Sequence, residues 1–158
     1  MRAFLRSFVY AAKGIIHAVA TGRNMRIHLC AAAYVLYFAL RFYRLSRGEL
    51  AVLILTIAAV IALETLNTAV ERLADSVTRD THPLIAKCKD CAAGAVLISA
   101  IASVFVGITL LWDTEIFSQI YNYFISDIVR ILLFIFSLSA ALAFVILPEI
   151  INRNNPQK

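Results

Sequence analysis

Long apolar stretches, separated by short polar segments, set the plan of this chain. They cover residues 27–42, 50–70, 91–112 and 128–149, the last with its apolar core at 131–147. A helix rises 1.5 Å per residue, so about 20 residues cross the hydrocarbon of a bilayer. Each stretch is therefore predicted to be a membrane-spanning helix, the first and last with help from their flanks. His28 lies near the start of the first span, the third span carries no charge, and the fourth ends at Pro148-Glu149. Residues 1–21 differ. Phe4, Phe8, Ala11, Ile15 and Ala18 recur at helical spacing, interrupted by Arg2, Arg6, Lys13 and His17. That pattern predicts an amphipathic helix lying on the membrane surface, or packed on the spans, and lacks the form of a signal peptide. Phe117, Tyr121, Tyr123 and Phe124 mark residues 113–127 as an interfacial loop or short helix.

The chain has 158 residues, of which 61% are hydrophobic. It is expected to be an all-α integral membrane protein rather than a soluble domain. The formal net charge of +5 is spread out, with no dense basic cluster interleaved with aromatics, which argues against a nucleic-acid partner. Basic residues set orientation. Arg2, Arg6, Lys13, Arg23 and Arg26 precede the first span. Arg72, Arg79, Lys87 and Lys89 separate the second and third, and Arg153 and Lys158 follow the fourth. Only Arg41, Arg44, Arg47 and Arg130 fall on the other side. Both termini are thus expected in the cytoplasm. Cys88-Lys-Asp-Cys91 is one CxxC with no second pair and no βαβ frame, a weak zinc or redox signal. Cys30 lies within a span and is expected to pack there.

The second span ends in the most informative segment, Glu64-Thr-Leu-Asn67-Thr-Ala-Val-Glu71-Arg-Leu-Ala-Asp75. At about 100° per residue, Glu64, Asn67, Glu71 and Asp75 share one helix face. Carboxylates in or beside a bilayer are costly and mark function by default. Glu64 is expected near head-group depth, with Glu71 and Asp75 further out toward water. Such a stripe suits holding a divalent cation and moving a proton. Beyond it, Pro83 fits the first position of a new helix with Thr81 or His82 as cap, and that helix carries Lys89 and Asp90 to the membrane entry. A lysine there can meet a phosphate as a point charge or simply snorkel. Ser137 and Ser139 in the last span can bond across helices, although bonding to their own backbone is the commoner arrangement.

These residues resemble the prokaryotic diacylglycerol kinase family of small membrane lipid kinases. The likeness rests on the 64–75 segment, on Lys89-Asp90 followed by Ala92-Ala-Gly94-Ala-Val-Leu-Ile98, on Tyr10 and Lys13-Gly14, and on Arg23-Asn-Met-Arg-Ile-His28. It runs from about residue 6 to 112 and is nearest to the undecaprenol kinase branch. The resemblance implies homotrimers of three-span protomers with an N-terminal surface helix, in the bacterial cytoplasmic membrane, with active sites between protomers facing the cytoplasm. Residues 1–112 would form the lipid kinase domain, and residues 113–158 an extension with an additional fourth span. It implies Glu64 and Asn67 as catalytic, with Glu64 the base that takes the proton of a lipid hydroxyl. Glu71 would hold Mg2+. Tyr10, Glu71, Asp75, Asp80, Thr81, His82, Lys89 and Asp90 would contact ATP. The lipid alcohol would be undecaprenol or diacylglycerol. The pattern departs at Gly22, where the family carries a second metal-binding glutamate; Asn24 or a bound water would stand in. Alternative readings are a small proton-coupled transporter, whose key acid would sit nearer mid-membrane, and a non-catalytic kinase-like membrane subunit, which would bind ATP without turnover.

Overall fold

Every regular element is an α-helix in the computed structural model, which describes residues 2–77 and 82–154. The order is α1 Arg2–Thr21, α2 Arg23–Phe42, α3 Arg47–Val77, α4 Pro83–Leu111, α5 Thr114–Ile125 and α6 Ile128–Asn154. Four of these, α2, α3, α4 and α6, are long and apolar enough to cross a membrane. The helices outrun the apolar stretches read from the sequence. The first span starts at Arg23 rather than residue 27, and α3 continues well past residue 70 with its polar stripe attached.

The helix ends follow local chemistry. Ser46 and Glu49 form a capping box at the start of α3. The Ser46 N–H donates to Glu49 Oε2 at 2.7 Å, and the Glu49 N–H donates to Ser46 Oγ at 3.3 Å. His82 caps α4, its Nδ1 accepting the Leu84 N–H at 3.3 Å, and Pro83 takes the first helical position as expected. Asp113 caps α5 by accepting from Glu115 and Ile116, so residues 114–125 form a short helix rather than a loop.

α3 and α4 pair along their length, and α2 lies between that pair and α6. Aromatic rings join α2, α5 and α6 at one end: Phe38 meets Phe134, Phe42 meets Tyr123, and Phe124 meets Phe134 at 4.9 Å between centroids. The Arg41 and Arg130 guanidinium groups lie 4.9 and 4.2 Å from the Tyr123 ring centre. In the middle, the Tyr34 hydroxyl bonds Ser137 Oγ at 3.1 Å, while Ser137 also donates to its own helix at Phe134. Ser139 bonds only its own backbone, at Ile135.

The other end is tied by Arg26, which is 2% exposed. Its Nη1 donates to the carbonyls of Val19 and Ala20 at 3.0 and 3.2 Å, satisfying acceptors left open at the end of α1. Its Nε and Nη2 donate to Val145 O at 3.3 and 3.2 Å. Pro148 sits inside α6 and removes one backbone N–H, so that turn lacks one i→i−4 bond. One cation thus bridges the corner between α1 and α2 and the proline turn of α6. Among the described residues most side chains on the long helices remain uncovered, Leu55, Ile98 and Phe105 among them. A membrane helix meets lipid or another subunit there without cost.

Candidate phosphoryl-transfer site

At the Arg26 end, α3 packs against the corner where α1 turns into α2. Gly22 makes that corner possible. A Cβ at this position would lie 2.8 Å from Ala18 O and 3.3 Å from Met25 Cβ, with Thr68 Oγ1 only 3.7 Å away. Without a side chain, the backbone settles against Thr68. Thr68 itself donates to Glu64 O at 3.0 Å, so its hydroxyl is occupied along its own helix.

This packing buries part of the polar stripe. Glu64 is 3% exposed, Asn67 5% and Thr68 7%, whereas Glu71 and Asp75 reach solvent. Exposure within the chain thus rises along the stripe, from Glu64 and Asn67 to Glu71 and Asp75. The Asn67 amide donates to Glu71 Oε1 at 3.1 Å, joining an i,i+4 pair. Glu64 Oε2 and Asn67 Oδ1 are buried with no protein partner. Buried polar atoms are almost always satisfied, so two orphans on one face call for a ligand, an ion or water.

Both orphaned residues open onto a polar cavity of about 320 Å³. Glu64, Asn67 and Glu71 form its α3 wall, Gly22, Arg23 and Asn24 form the opposite corner, and Glu149 enters from α6. Arg72 completes the rim. The cavity combines carboxylates, an amide oxygen and arginines, which are partners for a hard cation and for phosphate respectively. A separate apolar groove of about 610 Å³ lies over the preceding turns of α3, walled by Ile15, Leu36, Ile57, Ile61 and Leu66.

The remaining residues singled out from the sequence fall further along. Asp75 and Lys89 join α3 to α4 through a 3.0 Å contact between Oδ1 and Nζ. Asp90 is exposed next to Lys89. His82 is exposed and spends its Nδ1 on the α4 cap. Tyr10 is exposed on α1 and does not line the cavity. Asp80 and Thr81 lie outside the described residues. Asn24, the alternative to a carboxylate at Gly22, does line the cavity. Sequence reasoning missed Arg23, Arg72 and Glu149 as cavity residues and read Arg26 as a charge and as part of the 23–28 motif, not as a buried tie. Proximity of Pro148-Glu149 to the stripe has no local signal, because it depends on how α6 returns across the bundle.

Known proteins of similar sequence point to one family. The family model described as prokaryotic diacylglycerol kinase matches residues 9–111. An undecaprenol kinase of Bacillus subtilis strain 168 is 39% identical over 107 residues, covering 68% of this chain and 86% of the relative. A diacylglycerol kinase of Synechocystis sp. strain PCC 6803 is 47% identical over 108 residues, covering 68% of this chain and 61% of the relative. A diacylglycerol kinase of Escherichia coli strain K12 is 36% identical over 61 residues, half of its length. No solved structure matches the chain.

Proposed function

The chain belongs to the prokaryotic diacylglycerol kinase family, and we propose that it transfers the γ-phosphate of ATP to the hydroxyl of a membrane lipid. The observation that carries this reading is Glu64, a buried carboxylate with an unpartnered oxygen in the wall of a polar cavity. The groove offers apolar surface to a lipid chain, and the cavity offers oxygen ligands and arginines to phosphate. The lipid alcohol is of undecaprenol or diacylglycerol type. Both end in a hydroxyl at the interface, and relatives of each name match this chain.

Phosphoryl transfer needs in-line positioning and charge neutralisation more than covalent participation. Glu64 accepts the lipid hydroxyl proton as the oxygen attacks, and the ADP oxygen leaves with the electron pair of the broken bond. Asn67 holds Glu71 in place through their shared hydrogen bond. Arg23 and Arg72 face the phosphates from the rim. Asp75, Lys89 and Asp90 contact the nucleotide further out, and family resemblance adds Tyr10, Asp80, Thr81 and His82 to those contacts.

The residues fit a magnesium ion that arrives with the nucleotide. Mg2+ takes one or two protein carboxylates and leaves its other positions to phosphate oxygens and water. Glu71 and the unpartnered Asn67 Oδ1 provide such oxygens. Among the described residues no three acidic, histidine or cysteine side chains converge, so a closed protein cage is not the arrangement here. When bound, the ion would neutralise phosphate charge. We further propose a homotrimer with its active sites on the cytoplasmic face of a bacterial membrane. Family membership and the bias of basic residues toward the cavity end support this.

The test is transfer of labelled γ-phosphate to undecaprenol and diacylglycerol presented side by side in mixed micelles. Glu64→Gln is expected to lose about 10²–10⁴ in turnover while still binding ATP, the range for a lost general base. Near-normal turnover in that variant would remove Glu64 from the reaction. ATP binding without transfer by the unaltered protein would favour a non-catalytic subunit.

A further inference from the structure

Glu149 belongs to α6, outside the segment that matches the family model, yet it lines the same cavity as Glu64, Asn67 and Glu71. Its position is built rather than incidental. Arg26, buried and spent on backbone carbonyls, fastens the turn of α6 that precedes Glu149 to the corner between α1 and α2. That fastening brings the carboxylate to the wall where Gly22 leaves no side chain. A side chain starting at Gly22 would lie 2.8 Å from Ala18 O unless the corner shifted, so in this arrangement the carboxylate beside Gly22 is the one α6 brings.

The Glu149 carboxylate is near two cations but not consumed by them. Its Oε1 lies 3.7 Å from Arg23 Nε and 3.8 Å from Arg26 Nη2. Charge-assisted hydrogen bonds form at about 2.7–2.9 Å, so these contacts orient the group and leave its lone pairs available. The side chain is 44% exposed, toward the cavity it lines. Across that cavity, Glu64 Oε2 and Asn67 Oδ1 are buried without partners.

We propose that Glu149 is the second carboxylate of the cation–nucleotide site, sharing the cavity with Glu71, so that the C-terminal helix completes the active site. This rests on the kinase reading above. Two carboxylates from different helices, together with nucleotide phosphates, match what a hard, reluctantly dehydrated cation takes from a protein. The fourth span is then required for cation binding and is not only an added anchor.

The experiment uses the full chain in detergent with ADP bound and Mn2+ as the probe, its free and bound fractions read by electron paramagnetic resonance. Glu149→Gln is expected to raise the half-saturating Mn2+ concentration at least tenfold, the usual effect of weakening a metal site's ligand shell. Glu149→Asp is expected to fall between, since it restores charge on a shorter arm. The Mg2+ dependence of lipid phosphorylation should shift in parallel, and the thermal midpoint without metal should stay nearly constant. Wild-type Mn2+ affinity in Glu149→Gln, alongside normal phosphorylation by the unaltered protein, overturns the inference and leaves the kinase reading intact. Tighter nucleotide binding in that variant also overturns it, because Glu149 would then be excluding phosphate from Arg23. If the unaltered protein neither phosphorylates a lipid nor binds Mn2+ with nucleotide, the kinase reading itself fails. If Glu149→Gln does not fold, the Asp variant carries the test, with unchanged Mn2+ affinity as the overturning result.

Discussion

The Asn67 side chain donates to Glu71 Oε1 at 3.1 Å, one turn along the same helix, while its own oxygen is buried without a partner. The amide both restrains one oxygen ligand and presents another. Removing a group that orients a ligating carboxylate typically costs 10–100-fold in metal affinity or activity. Asn67→Ala is therefore expected to lower kcat/KM by about that factor, with a higher Mg2+ requirement and unchanged helix content by circular dichroism. A lower thermal midpoint with an unmoved Mg2+ profile would reduce Asn67 to a packing residue.

Lys89 and Asp75 meet at 3.0 Å, but their side chains are 39% and 61% exposed. Solvent screening limits such a pair to roughly 0–1 kcal/mol of stability. Stability alone is a poor reason for placing both charges beside the stripe. Lys89→Met is expected to raise the KM for ATP at least tenfold while moving the thermal midpoint by no more than a few degrees. The opposite split, a large fall in midpoint with an unchanged KM, would make the pair a clamp between α3 and α4.

Gly22 sits where a methyl group would press on Ala18 O at 2.8 Å. Overpacking of this kind costs typically 1–3 kcal/mol. Gly22→Ala should lose stability in that range. Gly22→Glu should lose at least as much and gain no metal affinity, because the corner must open before the new carboxylate can point anywhere. Unfolding curves in detergent, run with and without Mn2+, decide this. A stable Gly22→Glu protein with tighter Mn2+ binding would show that the corner yields.

Much of this site was legible in the sequence because it is local. The face shared by Glu64, Asn67, Glu71 and Asp75 follows from helical geometry, and the Asn67–Glu71 bond is an i,i+4 neighbour contact. Pro83 and His82 announced the start of α4. Ser46 and Glu49 carried an equally readable capping box that the hydrophobic pattern overshadowed. The contacts that were not legible join residues far apart. Arg26 and Val145 are separated by 119 positions, and nothing near either predicts the other. Burial of Arg26 was also hidden, since an arginine at the start of a span ordinarily reads as a lipid-facing charge.

That arginine gives the sharpest test of how the fourth span is held. Several kinds of contact fasten α6 to the bundle, and three differ enough in strength to compare. The Tyr34–Ser137 bond is worth on average about 0.6 kcal/mol between membrane helices. Aromatic pairs at the far end add about 0.5–1.5 kcal/mol each. Arg26, itself 2% exposed, donates to the Val19, Ala20 and Val145 carbonyls together, and leaving a buried donor unpaired costs about 1–3 kcal/mol, more for a charged group. The arginine therefore dominates at the cavity end. Lysine keeps the charge but lacks the planar fork that reaches both sides at once. Arg26→Lys is expected to lose about 2–4 kcal/mol, a fall of roughly 5–15 °C at this chain length. It should also expose α6 to protease near residues 144–150 while the aromatic end stays protected. A midpoint within two or so degrees of the unaltered protein, with no new cleavage, would mean that the aromatic cluster alone holds α6, and that Glu149 reaches the cavity without Arg26.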